Sequence, residues 1–292
     1  MDHIVTAEED GRAVRDILRR SMSVSYSAMK SAKWDDRVLL NGIPVPVSAR
    51  TSAGDTVSFL EAEKEAVYPV RPYPLPLTVP YLDEYLMVVD KPAPLASQSS
   101  AGHPDDSLEN AVFSYFGCPD HFIYRPVNRL DKGTSGLMVI ARTAHAQQLL
   151  QRMLHTDRFR RGYLAVTEGI PEPRSGVIDL PIAKVPEASV KRFISPDGKP
   201  SVTHYTVLQE NGSRALVSLR LETGRTHQIR VHMSASGCPV CGDFLYGTEL
   251  PELPGRFALH SSSLSLIHPV TGEELTLSSE LPAELSALLH NA

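Results

Sequence analysis

Residues 128–141 read NRLDKGTSGLMVIA, a polar turn that is followed at once by an apolar run. Asp131 lies between two basic residues, Arg129 and Lys132, and small residues separate it from LMVIA. The apolar run is unbroken, as in a strand that is buried on both faces. The carboxylate therefore stands at the entrance to a buried strand, either as a reactive group or as one half of an ion pair beside a turn.

The composition indicates a globular protein. The chain has 292 residues, enough for one large domain or two smaller ones, and 42% of them are hydrophobic. No run of about 18 apolar residues predicts a membrane span. The polar start, MDHIVTAEEDGR, does not resemble a signal peptide, and three cysteines suggest a reducing compartment. We expect a cytoplasmic protein.

The net charge of −5, from 29 Lys and Arg against 34 Asp and Glu, argues mildly against binding to a polyanion. Local clusters matter more than the sum, however. Residues 11–37 carry seven basic and three acidic side chains, and a second basic cluster, DRFRRGY, occupies 157–163.

Three segments follow one another along the chain. Residues 1–61 show two amphipathic helical stretches and then two short strands, RVLLNG and DTVSFL. Residues 66–80 contain five prolines, which predict a stiff, extended connector, and we place the linker at 62–80. Residues 81–292 form the second domain.

Strands outnumber helices in the second domain, and short turns join them. The strands predicted there include YLMVVDKP, GLMVIAR, GYLAVTEG, THYTVLQEN, RALVSLRLE and GRFALHSSSLSLIHP. Helices are predicted at DDSLENAVFSYF, with Asp105 or Asp106 as its cap, at TAHAQQLLQRMLH, with Thr143 as its cap, and at the end of the chain. This order predicts an α+β domain with a mixed, largely antiparallel sheet.

A second polar cluster, LETGRTHQIRVHM, occupies residues 221–233. If a strand begins near Thr226, alternation places Thr226, Gln228 and Arg230 on one face. A buried arginine needs a partner, and Asp131 is the natural candidate. An adjacent arginine favours the ionised carboxylate, which suits a nucleophile. The residues alone leave a reactive pair and a structural pair equally open.

The pair Cys238 and Cys241, in CPVC, raises the alternative of a zinc-dependent hydrolase, for which His227, His232 or His260 could supply further ligands. In a strand, His227 and His232 would face opposite ways, which disfavours this site. We expect plain buried cysteines and no metal. No phosphate loop of the G-x-G-x-x-G or Walker form is present, so we also expect no cofactor.

These motifs resemble the RluA family of pseudouridine synthases. The family's central motif is H-R-L-D-x-x-T-S-G, and VVDKPAPL, RRGYLAVTEG, TGRTHQIRVHM and RFALHSSSLSLIHP are similar to its other blocks in order and spacing. Residues 1–61 resemble an S4 RNA-binding domain. The resemblance implies the pseudouridine synthase fold and an RNA-modifying isomerase (EC 5.4.99.-). It also implies that RNA is the partner, with large-subunit rRNA favoured over tRNA. We expect a monomer.

The resemblance also implies roles for individual residues. Asp131 corresponds to the catalytic aspartate, Arg230 to its arginine partner, and Tyr163 to the tyrosine that packs on the target base. Arg129 corresponds to the arginine that displaces the target nucleotide. We assign further RNA contacts to Lys91, Arg161 and Arg225, and S4-like contacts to Arg12, Arg15, Arg19, Lys30 and Lys33.

Two residues depart from the family pattern. Asn128 replaces the usual histidine, and Cys238 stands where a histidine is frequent. The departure at Asn128 motivates an alternative hypothesis, a non-catalytic RNA-binding or ribosome-assembly factor that retains the fold.

Overall fold

The computed structural model describes residues 1–24, 26–32, 36–60, 70–186 and 190–290. The N-terminal part contains a four-stranded antiparallel sheet in the order β1-β4-β2-β3, with two helices packed against it. Its elements are β1 (Asp2–Ile4), a 3-10 turn (Ala7–Glu9), α1 (Val14–Arg20), α2 (Tyr26–Ala32), β2 (Val38–Leu40), β3 (Ile43–Pro44) and β4 (Thr56–Phe59).

The predicted order of two helices and two strands is present there, with β1 and β3 in addition. Val14, Ile17 and Leu18 form the buried stripe of α1. Asn41 and Gly42 make the turn between β2 and β3 with φ values of 52° and 80°, which suits their small or amide side chains. Of the caps suggested for α2, Ser25 lies outside the described residues and Ser27 lies inside the helix.

A nine-stranded sheet dominates the rest of the chain, and its strands run in the order β5-β6-β7-β14-β8-β13-β12-β9, with β15 paired to β14. Its neighbours are antiparallel except for β7 and β14, so the sheet is mixed and largely antiparallel, as predicted. Strands β10 and β11 form a separate hairpin. The strands are β5 (Thr78–Leu82), β6 (Leu86–Lys91), β7 (Ser135–Ala141), β8 (Phe159–Glu168), β9 (Ser175–Asp179), β10 (Ile182–Lys184), β11 (Arg192–Ile194), β12 (Val202–Asn211), β13 (Arg214–Leu221), β14 (Leu259–Ile267) and β15 (Glu274–Ser278).

Four short helices accompany the sheet: α3 (Leu108–Tyr115), α4 (Ala144–Met153), α5 (Gln228–Ala235) and α6 (Ala283–Ser286), the last of which continues as a 3-10 turn (Ala287–Leu289). Thr143 caps α4 through the amide of Ala146, as predicted. The predicted aspartate cap of α3 is wrong. Ser107 is the cap, because its hydroxyl and the side chain of Asn110 form a reciprocal capping box.

Strand β7 is buried on both faces, which explains its unbroken apolar sequence. Met138 and Ile140 enter one core cluster, while Leu137 and Val139 enter the other. The segment rich in proline is not a free linker over its whole length. Tyr73, Leu75, Leu77 and Val79 pack against the first core, and residues 78–80 of the predicted linker belong to β5.

None of the described helices is both long and apolar enough to cross a membrane.

Candidate active site

Asp131 lies in a tight turn just before β7. The amide of Thr134 donates to the Asp131 carbonyl over 3.0 Å, and β7 begins at the next residue. The hydroxyl of Ser97 holds Leu130 at both ends, since it donates to the carbonyl oxygen (2.5 Å) and accepts from the amide (3.2 Å). The residue before the carboxylate is therefore fixed from two sides.

Lys91 supports the same turn from below. Its Nζ donates to the carbonyl oxygens of Leu95 (2.8 Å), Pro92 (3.0 Å) and Lys132 (3.4 Å), and the side chain is 0% exposed. The assignment of Lys91 to an RNA contact is therefore wrong, because the buried ammonium group already donates to three backbone carbonyl oxygens. The lysine positions the turn that carries Asp131.

Arg230 is held between two carboxylates. Its Nη1 donates to Asp131 Oδ2 over 2.9 Å, while Nε and Nη2 form a forked pair with Asp243 at 2.6 and 2.8 Å. The guanidinium also lies 4.0 Å from the ring centre of Phe257. Arg230 and Asp243 are buried, whereas Asp131 is partly exposed. The predicted pair between Asp131 and Arg230 is present, and Asp243 fixes the arginine in place.

The predicted strand from Thr226 is wrong, because residues 228–235 form helix α5. His227 adopts a left-handed conformation (φ 59°, ψ 19°) that turns the chain into the helix. Gln228 Oε1 then accepts from the amide of Arg225 over 2.9 Å. All six residues from Gln228 to Met233 are buried, so packing outweighs the strand preference of Ile229 and Val231.

The sequence did not indicate Asp243 as a residue of this site, and it indicated His227 only as a possible zinc ligand. Asp243 lies in the GDFLYG segment, where an aspartate in an otherwise apolar stretch was the available signal. His227 Nε2 lies 3.8 Å from Asp131 Oδ2, and its Nδ1 is 2.8 Å from the hydroxyl of Tyr246. Burial lowers the pKa of His227. The negative charge of Asp131 opposes this shift, but its effect is smaller.

A cavity of about 510 Å³ opens in front of Asp131. Tyr163, on β8, lies in its wall and is buried. The predicted RNA-contacting residues Arg129, Arg161 and Arg225 also line the cavity, and Arg129 and Arg225 are exposed. Asp131, Tyr163 and Arg230 therefore meet at one cavity with three of the predicted basic residues.

The basic residues of the N-terminal part lie elsewhere. Arg15 and Arg19 are exposed on α1, and Arg12 is half-buried just before it. Lys30 belongs to α2, and Lys33 lies outside the described residues. The α4 side chain of Gln148 donates to the Ser23 carbonyl over 2.7 Å, which connects this part to the large sheet.

Asn128 has an orienting contact. Its Oδ1 accepts from the amide of Val139, in β7, over 2.9 Å, and the residue is buried. The side chain thus ties the segment before Asp131 to the central strand, which is a structural role that needs no charge.

The residues of the zinc hypothesis do not form a metal site. His232 contacts Thr203 Oγ1 (2.9 Å) and the Leu180 carbonyl (3.0 Å) through its two ring nitrogens. Burial raises the pKa of the Cys241 thiol to about 12, which disfavours the thiolate that zinc needs. Within the described ranges, no group of three His, Cys, Asp or Glu residues has the spacing of a metal site.

Comparison with solved structures identifies the class of fold. Human RNA Pseudouridylate Synthase Domain Containing 1 aligns with a TM-score of 0.60 and 25% identity, over 74% of this chain and 96% of that chain. Human RNA Pseudouridylate Synthase Domain Containing 4 aligns with a TM-score of 0.59 and 27% identity, over 73% of this chain and 91% of that chain. The large sheet with its helices is therefore a pseudouridine synthase fold.

Sequence comparison identifies the family. The family model for RNA pseudouridylate synthase matches residues 85–235. The uncharacterized RNA pseudouridine synthase YjbO of Bacillus subtilis (strain 168) is 37% identical over 86% of this chain and 88% of its own length. Ribosomal large subunit pseudouridine synthase D of Xanthomonas campestris pv. campestris is 36% identical over 94% of this chain and 87% of its own length. The chain belongs to the RNA pseudouridylate synthase family and is an isomerase, which confirms the RluA-type resemblance.

Proposed function

We propose that the chain converts specific uridines of large-subunit rRNA to pseudouridine, with Asp131 as the catalytic carboxylate. The observation that carries this proposal is the chain of contacts from Asp243 through Arg230 to Asp131 at the edge of a nucleoside-sized cavity. Relatives at 35% and 36% identity are named ribosomal large subunit pseudouridine synthase D, which supports rRNA as the substrate.

The geometry suits the bond changes of the reaction. The bond between uracil N1 and ribose C1′ breaks, the base turns, and C1′ bonds to C5, while C5 loses a proton and N1 gains one. Arg230 occupies Asp131 Oδ2, and no hydrogen bond within the described residues engages Oδ1. That oxygen can therefore act on the substrate, either by covalent attack or by assisting elimination. Tyr163 offers an aromatic surface to the base.

The uridine must leave its stack to reach this carboxylate, since neither C1′ nor C5 is accessible inside a helix. In our proposal Arg129, exposed at the cavity mouth, fills the gap that the base leaves. Residues 1–61 act as an S4-like module that holds RNA mainly through phosphate contacts from the arginines on and before α1. Residues 62–77 connect this module to the catalytic domain, which begins with β5, in a monomeric cytoplasmic enzyme.

Release of tritium from RNA labelled at uracil C5 tests the reaction and the role of Asp131. The wild-type protein should release tritium from unmodified large-subunit rRNA. Asp131→Asn should lower the rate by more than about 10³-fold while binding of the RNA stays within a few-fold. Asp197→Asn, at an exposed turn, is the matched control and should retain full activity.

Two outcomes would contradict the proposal. Full release by Asp131→Asn would remove the catalytic role from this residue. No release by the wild-type protein from either rRNA or tRNA, combined with tight RNA binding, would favour the alternative of a non-catalytic assembly factor.

A further inference from the structure

Positive charge is concentrated at the cavity, although the whole chain is acidic. Among the described residues that line the cavity, one carboxylate, Asp131, faces five lysine and arginine side chains: Arg129, Lys132, Arg161, Arg225 and Arg230. The charge of Arg230 is already matched by Asp131 and Asp243. The remaining four cations are available to an anionic ligand.

Arg161 differs from the other three because it is buried. The residue is 8% exposed, its guanidinium carbon lies 5.8 Å from the ring centre of Phe159, and within the described part of the chain no hydrogen bond or ion pair reaches the guanidinium. By contrast, the buried Arg230 and Arg256 both have carboxylate partners. The nitrogens of Arg161 are not among the fully buried polar atoms without a partner, so they reach the open cavity, where a phosphate would match the forked donors of the guanidinium. Arg161 is therefore built to receive an anion.

Gly224 lies beside Arg161 and His155 in the cavity wall. A Cβ atom at Gly224 would lie 3.6 and 3.7 Å from the two terminal nitrogens of Arg161, and 3.4 Å from Cε1 of His155. Arg225 follows directly, and its Nε donates to the Pro200 carbonyl over 3.2 Å. Burial lowers the pKa of His155, and Arg161 and Arg225 lower it further. Three basic side chains, those of His155, Arg161 and Arg225, thus line the same cavity, and an anion bound beside them would relieve their repulsion.

On β8, Arg161 lies close to Tyr163, the residue on which the target base is proposed to pack. Arg161 and Tyr163 are two residues apart, so they share one face of the strand and lie about 6.6 Å apart. A base that packs on Tyr163 would place the phosphate of its own nucleotide near Arg161. We propose that Arg161, His155 and Arg225 form the subsite for a backbone phosphate of the flipped uridine. This inference rests on the proposed function.

The test uses the full chain and mononucleotides, so that it does not depend on turnover. The imidazole signals of His155, assigned with His155→Gln, are followed by NMR during titration with 5′-UMP or with uridine. We expect 5′-UMP to displace these signals and to raise the pKa of His155, and uridine to leave both unchanged. Arg161→Gln should abolish the response to 5′-UMP.

Arg160→Gln is the matched control, because Arg160 is exposed on the opposite face of β8 and should leave the response intact. Arg161→Lys keeps the charge and should retain a weaker response, which separates loss of charge from misfolding. Equal responses to 5′-UMP and uridine, or an undiminished response in Arg161→Gln, would overturn the phosphate subsite. Tritium release by the wild-type protein would then still stand, so failure of the subsite and failure of the proposed function are separable.

Discussion

At the scale of single residues, the buried ammonium group of Lys91 links the catalytic turn to pH. Burial lowers its pKa from 10.5 to about 7, with Asp131 opposing the shift and Arg256 adding to it. The unfolded chain keeps this lysine protonated up to about pH 10.4. Between these values the unfolded state binds more protons, so the contribution of Lys91 to stability rises with pH and is least favourable below pH 7.

Lys91→Met, a neutral substitution of similar length, isolates this effect. The free energy of unfolding of the wild-type protein, minus that of Lys91→Met, should increase by about 1 kcal/mol per pH unit between pH 7.5 and 9.5. Urea unfolding across that range measures the difference. The hydrogen bonds that the Lys91 nitrogen donates to carbonyls, two at most for the neutral amine, add an offset that is nearly constant over this range. A difference that stays flat would show that Lys91 remains charged in the folded protein.

The sequence predicted Asp131, one of the two carboxylates that bind Arg230, but not Asp243, and the reason is physical. A buried arginine needs a carboxylate, so Arg230 pointed to Asp131 although about a hundred residues separate them. Nothing in the local pattern showed that Arg230 has two such partners. Asp243 lies in an irregular loop, where no periodicity indicates which side chains turn inward.

At the scale of elements, β7 was predictable and α5 was not. The unbroken apolar run of β7 reflects burial between two cores. In α5, six consecutive buried residues remove the periodicity by which a helix differs from a strand. His227, the residue before the helix, adopts a left-handed conformation that is uncommon for residues with a side chain. The sequence therefore contained no ordinary signal for the start of α5.

The parallel pairing of β7 with β14 depends on Gly136. Its φ is 108°, and a Cβ atom there would lie 2.3 Å from the carbonyl oxygen of Ser261. We expect Gly136→Ala to lower the free energy of unfolding by about 3 kcal/mol or more, because backbone strain and a steric clash act together. Gly272→Ala is the control, since Gly272 also has a positive φ (76°) but has open space around it, and should cost about 1 kcal/mol. Urea unfolding measures the free energy of unfolding of both variants. Equal losses in the two variants would contradict a requirement for close contact between β7 and β14.

At the scale of the whole molecule, most strands of the second domain could be predicted along the chain, but β5, β9, β10 and β11 were not, and the order of the strands in the sheet could not be predicted. His260 and Ser135 are paired neighbours although 125 residues separate them. Their pairing depends on how two cores close around β7, which no local pattern encodes. The family resemblance supplied what local patterns lacked, because it placed Asp131, Tyr163 and Arg230 at one site before any geometry was known.

The uneven distribution of charge over the molecule predicts how RNA binding depends on salt. If the N-terminal part holds RNA through phosphate contacts, the triple substitution Arg12→Gln, Arg15→Gln and Arg19→Gln should weaken binding of large-subunit rRNA. The slope of log Kd against log salt concentration should fall by about 2 to 3, since each of the three lost phosphate contacts contributes about 0.7 to 0.9. The rate of tritium release at saturating RNA should stay unchanged, because none of these arginines lines the cavity.

Arg174→Gln is the control, since Glu172 and Glu210 already neutralise its charge, and it should leave the slope as it is. An unchanged slope in the triple variant would mean that α1 does not contact the RNA backbone. An equal fall in the slope of the control would mean that the change in net charge alone explains the effect.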